Sequence, residues 1–274
     1  MSKGVLRDGC VLVASWIFVL FMASCSTVAM TGRQQLNLVP DSEMLSTSTQ
    51  QYDQFMKDNK VSTDAEQTQR VKRVGARIQA AVEEYARQNN RTKDLDGYAW
   101  EFNLIESKEV NAWCMPGGKV VVYTGIMPVC QDDNGLAVVM GHEIAHAVAK
   151  HGNERMSQGL LVQMGGTALQ TALHSKPAET QQLWMTAFGA GAQYGVVLPF
   201  GRAQESEADH LGLIFMSMAG YDPHHAVEFW QRMSAATSSG EKPPEFMSTH
   251  PSDENRIKKI QGELPEALKY YKKQ

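Results

Sequence analysis

The residues whose types and spacing could do chemistry begin with His142-Glu143-Ile144-Ala145-His146. On a helix, residues four apart differ by about 40° in direction, so both imidazoles can reach one ion from the same side. Neutral imidazole nitrogen is a preferred zinc ligand, and Glu143 is placed to take a proton from an activated water rather than to bind the metal. A catalytic zinc uses three protein ligands and keeps a fourth position open, so two histidines leave it one short. A third histidine on the same segment would need Gly at position 149 and His at position 152, and the chain carries Ala149 and Gly152. His151, five residues beyond His146 and about 140° off the ligand face, reads as a surface or helix-end residue.

The missing ligand is sought in Glu205-Ser206-Glu207-Ala208-Asp209, some 60 residues downstream on a predicted helix. Glu205 and Asp209 share one face and Glu207 points elsewhere. Glu205 would complete a His-His-Glu set, and Asp209 could accept the outer N–H of a ligand histidine, fixing its tautomer. The alternative is that acidic residues simply favour a helix N-terminus.

These residues must be carried by elements, and the sequence outlines them. Asp41 or Ser42 caps a helix to about Lys57, and a second runs from about Asp64 to Gln88 with Val71, Val74, Ile78, Val82 and Tyr85 on one face. Alternating Tyr98, Trp100, Phe102 and Leu104, then 110–115 and 119–123 split by Pro116-Gly117-Gly118, predict a small antiparallel sheet with a hairpin. Asp132 or Asp133 caps the helix carrying the motif, with Leu136, Val139, Met140 and Ala147 along its buried side and Gly152 at its stop. Residues 157–200 are rich in Gly, Ala, Gln and Met, and 183–200 carry no charge. Three glycines, Gln193 and a closing Pro-Phe make this a poor membrane span, so a helical hairpin acting as a mobile cover is expected. Further helices are expected over about 202–218, after Asp222-Pro223, and beyond Pro251.

The N-terminus has another character. Lys3 and Arg7 precede an apolar run over 10–23 that ends in Ala23, Ser24 and Cys25. This is signal-peptide architecture, and the run is shorter than the ~20 residues of a permanent membrane helix. Met22-Ala23-Ser24-Cys25 resembles the bacterial lipobox, which implies a leader over 1–24, a lipid on Cys25 and, with Ser26 next, sorting to the outer membrane. A polar tether over 25–40 would then lead into one domain over 41–274. Across 274 residues the net charge of −4 forms no basic stripe, which argues against a nucleic-acid partner. Cys114 and Cys130 could form a disulfide or be two small buried hydrophobes, and the sequence leaves both open.

Taken together, HEIAH, ESEAD, Asn111-Ala112, the stretch 116–125 (PGGKVVVYTG), and Thr249-His250-Pro251 with Arg256 resemble the gluzincin peptidases of the CAAX prenyl endopeptidase and HtpX type, especially their periplasmic lipoprotein members. The resemblance implies an α+β, predominantly helical zincin-like fold with a small antiparallel sheet. It further implies one zinc per chain on His142, His146 and Glu205, with Glu143 as general base. It makes the strand at Asn111 and Ala112 an edge that pairs with extended polypeptide substrates. His250 and Arg256 could stabilise an oxyanion, and the histidine can also approach the zinc; alternatively His250 lies near a helix start and Arg256 in a surface ion pair. The expected activity is hydrolysis of misfolded or unassembled envelope proteins. An outer-membrane assembly or chaperone factor with latent protease activity is the alternative.

Overall fold

In a computed structural model of the chain, residues 25–28, 30–238, 245–250 and 254–271 are described. The expected leader over 1–24 lies outside the described residues, as does Pro251. The predominantly helical α+β class holds. Helix α1 (Asp41–Asp58) precedes α2 (Ala65–Gln88), whose N-cap Asp64 accepts a 3.0 Å hydrogen bond from the Gln67 amide. The Val71, Val74, Ile78, Val82 and Tyr85 stripe of α2 is buried, as its helical spacing requires.

The sheet comprises β3 (Glu101–Ile105), β4 (Ala112–Met115) and β5 (Lys119–Tyr123) in the order β3-β5-β4. β4 and β5 form the expected antiparallel hairpin, but β3 runs parallel to β5, with Phe102 opposite Val120. The sheet is therefore mixed rather than wholly antiparallel. Hydrophobic alternation reports which face is buried and carries no information on strand direction, so the parallel pairing was hidden. This order leaves β4 at an edge.

Helix α3 (Asp133–Val148) is the centre of the molecule. The Asp132 carboxylate caps it at 2.8 Å from the Gly135 amide, and every residue from Gly135 to Val148 is buried. α2, β4, α6 (Leu198–Met218) and α7 (His225–Ser238) surround it, so burial is not confined to the expected stripe. α3 and α6 cross with backbones nearly touching: a Cβ on Gly141 would lie 2.9 Å from the Gly212 carbonyl oxygen. The α3 helix ends before Gly152, because Lys150 takes the left-handed conformation (φ +59°) and starts α4 (His151–Leu173) in a new direction.

α4 and α5 (Ala178–Ala192) form the helical hairpin expected within 157–200, and Met164, Leu183, Trp184 and Tyr194 are exposed on it and the following π-helical turn (Gln193–Val197). No helix among the described residues is long and apolar enough to cross a membrane. After α7 come the short helix α8 (Glu245–Thr249) and α9 (Glu254–Ala267). Residues 25–40, expected as a free tether, instead form an antiparallel pair, β1 (Cys25–Thr27) with β2 (Gln34–Leu36), laid onto the start of α4. The Val39 carbonyl accepts from Asn153 Nδ2 at 2.7 Å, and the Leu38 amide donates to Ser157 Oγ at 2.9 Å. A polar segment without periodicity can be solvated or docked on buried acids, and composition alone does not tell these apart. Cys114 and Cys130 are both free thiols, which excludes the disulfide alternative.

Candidate metal centre

α3 delivers His142, Glu143 and His146, and α6 delivers Glu205 and Asp209, across the close crossing at Gly141 and Gly212. His250 follows α8, and Arg256 lies on α9. Ligand atoms of His142, His146, Glu205 and His250 all lie within 4.8 Å of one another. His142 Nε2 is 3.1 Å from His146 Nε2 and 3.4 Å from Glu205 Oε2, and Glu205 Oε1 is 3.3 Å from His146 Nε2. His250 Nδ1 completes the cluster, 3.2 Å from His142 Nε2 and 2.9 Å from Glu205 Oε2.

The donor set fits a divalent cation. His142 Nδ1 faces Asp209 Oδ1 at 3.0 Å and His146 Nδ1 faces His151 Nδ1 at 2.8 Å. With those outer nitrogens donating, the two Nε2 atoms turn lone pairs toward each other, a costly buried arrangement that a shared cation resolves. The set of imidazole nitrogens and one carboxylate oxygen is the chemistry zinc prefers over calcium or magnesium.

Glu143 stands beside these donors with Oε1 buried and without a hydrogen-bond partner. His250 Nε2 stands 3.4 Å from that oxygen. Burial pushes the Glu143 carboxyl above the usual range, against the opposing pull of His250 and His142. Glu205 goes the other way: burial opposes ionisation, but the adjoining rings of His142, His146 and His250 hold it well below the usual carboxylate range.

Arg256 is not in the surface ion pair that was its alternative. It is buried, grips Asp209 through Nε and Nη2 at 2.8 Å each, donates Nη1 to the His250 carbonyl at 3.2 Å, and stacks 3.5 Å above the Trp230 ring. A chain thus runs from Arg256 through Asp209 to His142.

His151, expected as a surface or helix-end residue, does open helix α4 but is fully buried and touches His146. The expectation extended one helical rotation through a position where the backbone turns at Lys150. Nothing in local sequence marks that break, since Lys is an uncommon left-handed residue. Glu207 points away from the four ligand atoms, as its spacing requires, and accepts from His151 Nε2 at 2.9 Å.

Asn111 and Ala112 lie at and just before the start of β4, which packs against α3. The Asn111 carbonyl accepts from the Tyr123 amide of β5 at 3.1 Å, so alternation turns the main-chain groups of Ala112 and Cys114 to the open edge. The Asn111 side chain accepts from the Ala112 amide at 2.9 Å. Burial and then the charge of Glu143 raise the Cys114 thiol.

The chain matches the profile of Peptidase family M48 over residues 72–264. It is similar to the mitochondrial metalloendopeptidase OMA1 of Schizosaccharomyces pombe, at 40% identity over 168 residues, covering 61% of this chain and 48% of that protein. The mitochondrial metalloendopeptidase OMA1 of Homo sapiens is 30% identical over 261 residues, 92% of this chain and 48% of its own length. The beta-barrel assembly-enhancing protease of Yersinia pestis is 30% identical over 164 residues, 58% of this chain and 33% of its own. The chain spans about half or less of the length of these relatives. The matches carry the family, not the narrower CAAX prenyl endopeptidase, HtpX or lipoprotein branch. They also overturn the expected location, lipid-anchored in a bacterial envelope at the outer membrane: relatives that align over 92% or more of the chain are mitochondrial, and the Yersinia protein aligns over a shorter stretch. A four-residue likeness at Met22-Ala23-Ser24-Cys25 was too little to carry a compartment.

Proposed function

Since the chain belongs to peptidase family M48, we propose that it is a zinc metalloendopeptidase that cleaves peptide bonds in extended polypeptide. His142, His146 and Glu205 hold one zinc, and the observation that carries this reading is their buried convergence beside the unpartnered Glu143 Oε1. Zinc, when bound, supplies Lewis acidity that polarises a carbonyl and acidifies water. Glu143 supplies the base: its raised affinity for protons lets Oε1 take one during attack and return it to the leaving amine nitrogen.

Four protein donors would close a zinc site, whereas catalysis needs three and an open position. His250 is the fourth donor of the cluster; to leave that position open it would turn its Nδ1 away, and its ring N–H would then be available to the developing oxyanion. Arg256, taken up by Asp209, the His250 carbonyl and Trp230, positions His142 rather than the substrate. The open edge of β4 supplies main-chain hydrogen bonds to an extended substrate, which selects unfolded or unassembled segments more than particular side chains.

Purified Glu143→Gln protein tests this with casein or an unfolded polypeptide. It is expected to hold zinc as the wild type does and to lose about 10²–10⁴-fold in turnover. Wild-type turnover by the zinc-loaded variant would refute the assignment. The exposed Leu183, Trp184 and Tyr194 favour a second reading, an assembly factor with an adaptable apolar face. That role would survive Glu143→Gln in the native host, and the peptidase role would not.

A further inference from the structure

The two zinc-facing histidines are supported from behind in different ways. His142 leans on Asp209, a partner four residues from Glu205 on α6. Among the described residues, no carboxylate lies against the outer nitrogen of His146. Its Nδ1 meets His151 Nδ1 at 2.8 Å, and His151 Nε2 meets Glu207 Oε2 at 2.9 Å. Only one proton arrangement satisfies both contacts with a neutral His151: His146 Nδ1–H donates to His151, and His151 Nε2–H donates to Glu207. That arrangement leaves the His146 Nε2 lone pair facing the metal position. Arg155 Nη2 also approaches His146 Nδ1, at 3.4 Å, too long to compete with the His151 contact.

Glu207 is in turn fixed by the N-terminal hairpin. Arg33 Nε donates to its Oε2 at 2.7 Å, and the Thr31 hydroxyl donates to its Oε1. The same guanidinium forks onto buried Glu154, with Nη1 and Nη2 at 2.9 and 2.8 Å, while Gln204 Nε2 donates to Glu154 Oε2 at 2.8 Å. His151 and Glu154 are fully buried. One arginine thus bridges two buried carboxylates, and charge pairing of this kind is geometrically strict.

We propose that His151 and Glu207, locked by Arg33 from the N-terminal hairpin, are positioning residues that fix the tautomer and orientation of His146 for zinc. The inference rests on the proposed zinc site and extends it to residues 31–33, outside the segment matching the family profile.

Outer partners of metal-ligating histidines typically change metal affinity by about 10–100-fold, which sets the size of the test. Zinc dissociation constants are measured by chelator competition on full-length wild type, His151→Phe, His151→Asn, Glu207→Gln and Arg33→Met, alongside the visible spectrum of each cobalt-loaded form and the thermal unfolding of each apo form. His151→Phe and Glu207→Gln are expected to weaken zinc by about 10–100-fold and to alter the cobalt spectrum. Arg33→Met is expected to shift both in the same direction. His151→Asn, whose Oδ1 can accept in place of Nδ1, is expected to recover most of the loss. If His151→Phe fails to fold, the isosteric Glu207→Gln and the partly exposed Arg33→Met decide the matter. Zinc affinities within twofold of wild type, or a weakening that follows apo stability while the cobalt spectrum stays unchanged, would overturn the proposal. A wild-type chain that binds no stoichiometric zinc would instead sink the function reading beneath it.

Discussion

Glu205 and His250 are both within bonding reach of His142 Nε2, yet they should not matter equally to the metal. Glu205 sits mid-cluster, between the two imidazoles of α3 and against His250, and its carboxyl is held ionised by all three. His250 approaches from beyond α8 and is the fourth donor, the one a catalytic site does without. Glu205→Ala is therefore expected to lose zinc during purification, while His250→Ala retains close to one per chain with hydrolysis impaired. Metal analysis of the two proteins side by side checks this, and equal loss in both would show that His250 is a permanent ligand. At this scale the sequence was informative wherever spacing on an unbroken helix decides direction. Residues 142, 143 and 146 on one helix, and 205 and 209 on another, come together as read. His151 was misread because it lies past a turn at a lysine with φ +59°, and Arg33 was missed because nothing local couples a polar N-terminal residue to acids 121 and 174 positions away.

The elements hold these residues by a contact that has no slack. α3 and α6 approach so closely that a Cβ on Gly212 would sit 2.9 Å from the His142 amide nitrogen, and the neighbour there is backbone rather than a yielding side chain. Gly212→Ala must push apart the two helices that bring His142 and Glu205 together. It is expected to cost about 1–3 kcal/mol in urea unfolding and to weaken zinc binding in parallel. Gly262, inside α9 with open space around its Cα, serves as the control: its change to Ala is expected to be neutral or to add up to about 1 kcal/mol. A Gly212→Ala protein as stable as wild type would mean the helices tolerate separation. Helix α2 was plain in the sequence, because a 24-residue amphipathic pattern is a strong signal. The parallel pairing of β3 with β5 was not, since strand direction depends on the connection through β4 and not on the pattern of any one strand.

Across the whole molecule, the centre draws on widely separated parts of the chain: α3 and α6 for the first three ligands, the segment after α8 for His250, α9 for Arg256, and the N-terminal hairpin for Arg33. The hydrophobic core takes in α2, the sheet, α3, α6 and α7 and reaches Ile260 of α9 and Val28 of the hairpin, while the ion pairs Arg256–Asp209 and Arg33–Glu207 add polar anchors for the last two. Periodicity announced the core-packed helix α2, whereas the long-range ion pairs of Arg33 leave no periodic mark in the sequence. Everything functional follows from a cation at the meeting point of these parts. Anomalous diffraction at the zinc absorption edge, from crystals of the zinc-loaded protein, locates that cation directly. The account predicts one strong peak per chain, about 2.0–2.2 Å from His142 Nε2, His146 Nε2 and a Glu205 carboxylate oxygen. A zinc peak elsewhere, or coordination that omits Glu205, would contradict it.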